Sequence, residues 1–93
     1  MIDLPFFLDV SKRARLIRRI KADGSDISTL RALSQMLVTD TDKVSTSQLQ
    51  AIWDRSEKAL AASSNAEQSE VLDTLLRQAR WSVQSRDMRY RYF

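Results

Sequence analysis

The stretch Leu72-Asp73-Thr74-Leu75-Leu76-Arg77-Gln78-Ala79-Arg80-Trp81-Ser82-Val83 decides the fold. Leu72, Leu75, Leu76, Ala79 and Val83 recur at steps of three and four. That spacing gathers side chains on one face of an α-helix and on neither face of a strand. Glu67, Glu70 and Asp73 stand toward the start of the pattern and Arg77, Arg80 and Arg86 toward its end, an order that complements the helix dipole. Ser63-Ser64-Asn65 breaks the chain just before it, and Ser64 and Glu67 have capping-box spacing. The pattern predicts a helix over residues 66–87.

The preceding segments read the same way. Leu49, Ile52, Trp53, Ser56 and Leu60 mark the buried face of a helix over 46–62, opened by Ser45 and Gln48 at capping-box spacing. Ile27, Leu30, Leu33 and Leu37, widened by Met36, mark one over 28–38. Thr39-Asp40-Thr41-Asp42 ends it, because short polar side chains compete for backbone hydrogen bonds. Val10, Ala14, Ile17 and Ile20 mark a first helix over 11–22, with Asp9 or Ser11 as its cap and Gly24 beyond its end. Before it, Met1 to Leu8 is apolar and contains Pro5, which favours an extended approach.

The chain has 93 residues, a formal charge of +3, one Gly, one Pro, and neither Cys nor His. This is one small domain, with apolar content enough for a core and too high for a disordered chain. Few tight turns can be built, which argues against hairpins. The expected fold is all-α: a small four-helix antiparallel bundle-like domain. An extended apolar N-terminal arm (residues 1–10) and an aromatic, basic C-terminal tail (89–93) flank the helical body (11–88). The core is expected from Ile17, Ile20, Leu30, Leu33, Leu37, Leu49, Ile52, Trp53, Leu60 and the Leu72–Val83 stripe.

The absent residues narrow the chemistry. Without Cys there is no disulfide, zinc thiolate site or thiol nucleophile. Without His the commonest general base and transition-metal ligand are missing. No catalytic, metal or cofactor site is expected, and no small-molecule substrate. No apolar run is long enough to span a membrane. Met1 to Val10 holds Asp3 and Asp9 and no base, unlike a secretory signal. These features fit a protein of a reducing, cytoplasmic compartment, or of a particle assembled inside a cell.

Charge is segregated. Residues 1–21 carry six basic and two acidic side chains, 22–75 four basic and nine acidic, and 76–93 five basic and one acidic. Within Lys12 to Lys21, Lys12, Arg15, Arg18 and Arg19 fall opposite the apolar stripe, and like charges at these spacings repel. Either acids such as Asp40, Asp42 or Glu57 balance them, or an anionic partner does. Arg in place of Lys favours bidentate contact with phosphate or carboxylate.

Two apolar features lack an obvious place in a bundle. At about 100° per residue, Trp81 falls opposite the Leu72–Val83 stripe, with Met88 and Arg77 on its side. Either the arm bearing Phe6 and Phe7 covers it, or a partner does, since Trp and Arg are enriched at interface hot spots. The chain then closes on Arg89-Tyr90-Arg91-Tyr92-Phe93. Read as a strand, this puts Tyr90 and Tyr92 on one side and Arg89 and Arg91 on the other, able to extend a partner's sheet or stack on bases.

Two motifs fail on inspection. Asp40-Thr41-Asp42 opens like a calcium loop, but Val44, Ser45 and Ala51 occupy later positions where a ligand, Gly and Glu are required. Leu33 to Leu49 has helix-turn-helix features, with Leu37 and Val44 at core spacing, yet its turn lacks Gly and is acidic.

The expected function is a non-enzymatic protein–protein interaction or assembly subunit, an adaptor or structural component of a larger complex. Phage-type particles are one setting for such subunits, by analogy alone. Phe6, Phe7, Trp81, Met88, Tyr90, Tyr92 and Phe93 would meet a protein partner or another copy. The alternative is a small nucleic-acid-binding protein using Lys12, Arg15, Arg18, Arg19, Arg89 and Arg91. A membrane-surface role ranks third, because Asp3 and Asp9 bracket the aromatics that would insert.

Overall fold

A computed structural model describes residues 10–21 and 26–92, and the side chains of 12–21 and 26–88. Every regular element among them is helical: α1 (Val10–Arg18), α2 (Ile27–Thr39), a 3₁₀ turn (Thr41–Lys43), α3 (Thr46–Ala62) and α4 (Ala66–Tyr92). No described helix is long and apolar enough to cross a membrane. The expectations for Gly24, Phe6, Phe7, Phe93 and the cap at Asp9 lie outside the described residues. So does the extended course of the arm.

The helix starts show how local chemistry sets the elements. Asp26 caps α2, its carboxylate accepting from Ser28 N (3.1 Å) and Ser28 Oγ (2.9 Å). Ser45 caps α3, its hydroxyl accepting from Gln48 N at 3.1 Å. The cap of α4 is Asn65, one residue after the expected Ser64: Asn65 Oδ1 accepts from Gln68 N at 3.0 Å, and its carbonyl accepts from Ser69 N at 2.9 Å. Asn and Ser are comparable caps. The choice falls to whichever residue stands at the first turn's entry, which the capping-box spacing placed one position early.

The helix ends differ from expectation more. Helix α1 stops at Arg18 and not at residue 22. Arg19 N and Ile20 N bond back three residues to Leu16 and Ile17 (3.0 and 3.1 Å), and Arg55 Nη1 donates to the Arg18 carbonyl at 3.3 Å. These bonds satisfy the open carbonyls without a further turn. Helix α4 runs on through residues 89–92, so the strand-like tail is replaced by helix there. The alternation that sets Tyr90 beside Tyr92 belongs to strands. No Gly or Pro interrupts residues 66–93, propagation adds a bond for each residue fixed, and terminal Arg residues suit the dipole.

The core is a single cluster. Leu30, Leu33, Leu49, Ile52, Leu72, Leu75 and Ala79 are fully enclosed, and Ile17, Ile20, Leu37 and Leu76 are buried with them. Trp53, Leu60 and Val83, expected in the core, only lean on its edge, while Ala59 goes inside. Val44, from the turn between α2 and α3, is also buried. The turn tucks it inward because Lys43 N and Val44 N bond back three residues to Asp40 and Thr41.

Helix α4 is the common wall: it packs most extensively on α3, next on α2, while α1 lies against α3 and α2. Trp53 meets Arg80 and Thr46 meets Arg86, so α3 and α4 run in opposite directions. Ser34 meets Gln78 and Thr41 meets Arg86, so α2 and α4 run the same way. The body measures 42 × 39 × 17 Å. A 27-residue helix is about 40 Å long, so α4 accounts for the long dimension, and the thickness is that of about two helix layers. Two layers bury one side of α4 and leave the other open.

Candidate functional site

The open side of α4 forms one wall of a surface groove of about 1120 Å³. Gln78, Trp81, Ser82 and Ser85, at steps of three and four on the helix, line it. The opposite wall comes from the α2–α3 connection, with Val38, Thr41, Asp42, Lys43, Ser45 and Thr46. Arg13 of α1 and Arg86 of α4 complete the lining.

Apolar surface stands in the open here. Trp81 is 72% exposed and Val38 66%. Met88 is 58% exposed and lies two turns beyond Trp81 on the same face. These are the exposed large hydrophobics among the described residues.

Polar groups fix the walls around them. Arg86 is half-buried and ties α4 to the α2–α3 connection: Nη2 donates to the Thr41 carbonyl at 2.8 Å and Nη1 to Thr46 Oγ1 at 3.1 Å. Arg13 Nε donates to Gln48 Oε1 at 3.1 Å, holding α1 to the first turn of α3. The Thr41 hydroxyl donates back to the Leu37 carbonyl. Lys43 lies 3.9 Å from Asp40. The groove therefore sets the cationic groups Arg13 and Arg86, each held by a hydrogen bond, beside the apolar surfaces of Trp81, Val38, Leu37 and Val44.

The basic helix occupies the adjoining surface. Arg15, Arg18 and Arg19 are exposed and Lys12 half-exposed. Asp40, Asp42 and Glu57, the acids suggested as counterweights, form no ion pair with α1 among the described residues; Asp40 faces Lys43 instead. Arg15 and Arg18 have no acidic partner there either. Arg55 of α3 adds a guanidinium beside the last carbonyl of α1.

Of the expected partner-binding residues, the structure brings Trp81 and Met88 onto one face. Arg89, Tyr90, Arg91 and Tyr92 belong to the last turn of α4, with side chains outside the described set, as are Phe6, Phe7 and Phe93. Three residues of the site were not anticipated: Arg86, Arg13 and Val38. Arg86 carries a faint sequence signal: it stands seven residues after Ala79, in line with the core stripe, where a charged side chain is out of place. Nothing local in the sequence marks Arg13 or Val38, since their meeting is purely tertiary.

Chemically, the groove offers contact surface and hydrogen-bond donors. Among the described residues no three of His, Cys, Asp and Glu come together to hold a metal ion. A second depression, about 420 Å³, is lined by Arg31, Ser34, Glu67, Glu70 and Thr74, and its exposed Arg31–Glu67 pair at 3.9 Å contributes little. No protein-family model, curated protein or solved structure matches the chain.

Proposed function

We propose that this chain is a non-enzymatic protein–protein interaction or assembly subunit, an antiparallel bundle-like body that docks through the Trp81 face of α4. The exposure of Trp81 carries this reading, together with that of Val38 across the groove and of Met88 two turns further along α4. Covering an open Trp in an interface yields on the order of 3–4 kcal/mol of gross hydrophobic stabilisation. Aromatic anchors of this kind, rimmed by Arg, dominate interface energetics. The fixed groove walls reduce the ordering cost of association, since little has to be immobilised.

Size-exclusion chromatography with light scattering, run at low and high salt, tests it. The expected result is a mass above monomer, or capture of a partner, that survives high salt and is lost in Trp81→Ala. An unchanged mass and unchanged solubility in that variant, from a protein that is monomeric throughout, count against the reading. A second reading, a small nucleic-acid-binding protein, is favoured by exposed Arg15 and Arg18, which no acid among the described residues balances. It predicts copurifying nucleic acid at low salt, shed at high salt, and lost on charge reversal of Arg15.

A further inference from the structure

We propose that the groove beside Trp81 takes an acidic segment of a partner protein, which lays an apolar side chain on Trp81 and Val38 and a carboxylate on Arg86. The inference rests on the docking reading above and adds to it the chemistry of the partner.

Arg86 is the centre of the argument. Its guanidinium is half-buried yet among the described residues meets neutral acceptors alone, the Thr41 carbonyl and the Thr46 hydroxyl. Those bonds use one hydrogen on each terminal nitrogen. They leave the Nε hydrogen and the second hydrogen of each terminal nitrogen without an acceptor among the described residues, and they fix the plane of the group. A planar guanidinium held this way is prearranged for a carboxylate, the acceptor that matches its fork. Asp42 lines the same groove but makes no ion pair with Arg86, so no carboxylate among the described residues meets that fork.

Charge along the groove points the same way. Among the described residues, Arg13, Lys43 and Arg86 line it against a single acid, Asp42. Lys43 is drawn toward Asp40, and Arg86 meets no counter-charge among the described residues. The apolar contacts set the rest of the partner's chemistry. Trp81 offers an indole face and edge, and Val38 an aliphatic surface, which together suit a Phe, Leu or Met next to the acid. A nucleic-acid strand fits less well: Asp42 repels any anion, which weighs more on a run of phosphates than on one carboxylate seated at Arg86, and beside Trp81 the aliphatic Val38 gives a second base nothing to stack on.

The full chain is titrated, with fluorescence anisotropy as readout, against a short labelled peptide alternating Glu with Phe and Leu, its Gln counterpart, and an oligothymidylate. Saturable binding of the acidic peptide, with about tenfold weaker binding of the Gln peptide, is expected for a lost charge-assisted contact of about 1.4 kcal/mol. Arg86→Gln should bring the acidic peptide down to the Gln level and leave the Gln peptide unmoved. Trp81→Ala should weaken both peptides. Should Arg86→Gln fail to fold, the two peptides on the native chain still decide the question.

Equal binding of the peptides, lost in Trp81→Ala, overturns the carboxylate and keeps the docking face. No binding of either peptide, with a mass unaffected by Trp81→Ala, overturns both readings. Tighter binding of the oligothymidylate, or a dimer that neither peptide disturbs, seats a nucleic acid or a second copy in the groove and overturns the choice of partner.

Discussion

Ser34 Oγ of α2 donates a hydrogen bond of 2.7 Å to Gln78 Oε1 of α4, in a half-buried setting. The pair ties the two helices at the point where Gln78 turns from the core toward the groove. Ser34→Ala takes the donor away and leaves a half-buried amide oxygen short of a partner. The expected cost is about 1 kcal/mol by urea unfolding, with coupling of roughly 0.5–1.5 kcal/mol in a double-mutant cycle with Gln78→Ala. Additive single effects would show the bond to be energetically silent.

The core and its edge should separate cleanly under truncation. Leu72 is fully enclosed among α2, α3 and α4 residues, whereas Leu60 only leans on the cluster. Leu72→Ala should cost about 2–5 kcal/mol, transfer plus cavity, a large share of the ~5–15 kcal/mol a domain commands. Leu60→Ala should cost less than half as much. Circular dichroism against urea reads both. Equal losses would mean that Leu60 is as buried as the sequence pattern alone suggested.

The start of α4 offers a one-residue discrimination. Asn65→Ala removes the oxygen that accepts from Gln68 N and should cost about 1 kcal/mol, while Ser64→Ala, one position outside, should stay within about 0.5 kcal/mol. The reverse order would restore the cap read from the Ser64–Glu67 spacing.

That cap marks the boundary between what the sequence discloses and what it does not. Helix faces are a property of spacing, so Leu30, Leu33, Leu49, Ile52, Leu72 and Leu75 are legible as core. Residues 46–62 are legible as a helix because Ser45 and the break at Ser63 punctuate both ends. Where α1 stops is not marked by spacing: the chain tightens into three-residue bonds at Arg19 and Ile20, and Arg55 of α3 reaches across to the Arg18 carbonyl. The burial of Val44 depends on how a turn folds, which no periodicity reports. The exposure of Trp81 is legible from helix angle alone, but the groove around it is not. Arg13, Val38 and Arg86 lie far apart in sequence and line one groove only because α1 and α4 both pack on α2 and α3.

The cap of α2 should make stability depend on pH in acid. The Ser28 hydroxyl and then the Ser28 N–H hold the Asp26 carboxyl below its ordinary value, with smaller help from Thr29 and the charge of Arg19. A folded-state pKa lower than the unfolded one gives stabilisation that is complete above the unfolded value, about 4, and drains away as pH falls through the folded value. Asp26→Asn offers the same Ser28 N–H an oxygen that does not titrate. Urea midpoints of the two proteins from about pH 7 to about pH 2 should therefore shift against each other: the native chain holds its own at neutral pH and loses ground to Asp26→Asn below about pH 4. Parallel curves across the whole range would mean that the carboxylate charge contributes nothing to the cap. The loss should also be steeper at low salt, because the Arg19 contribution is a screened surface interaction while the Ser28 bonds are not.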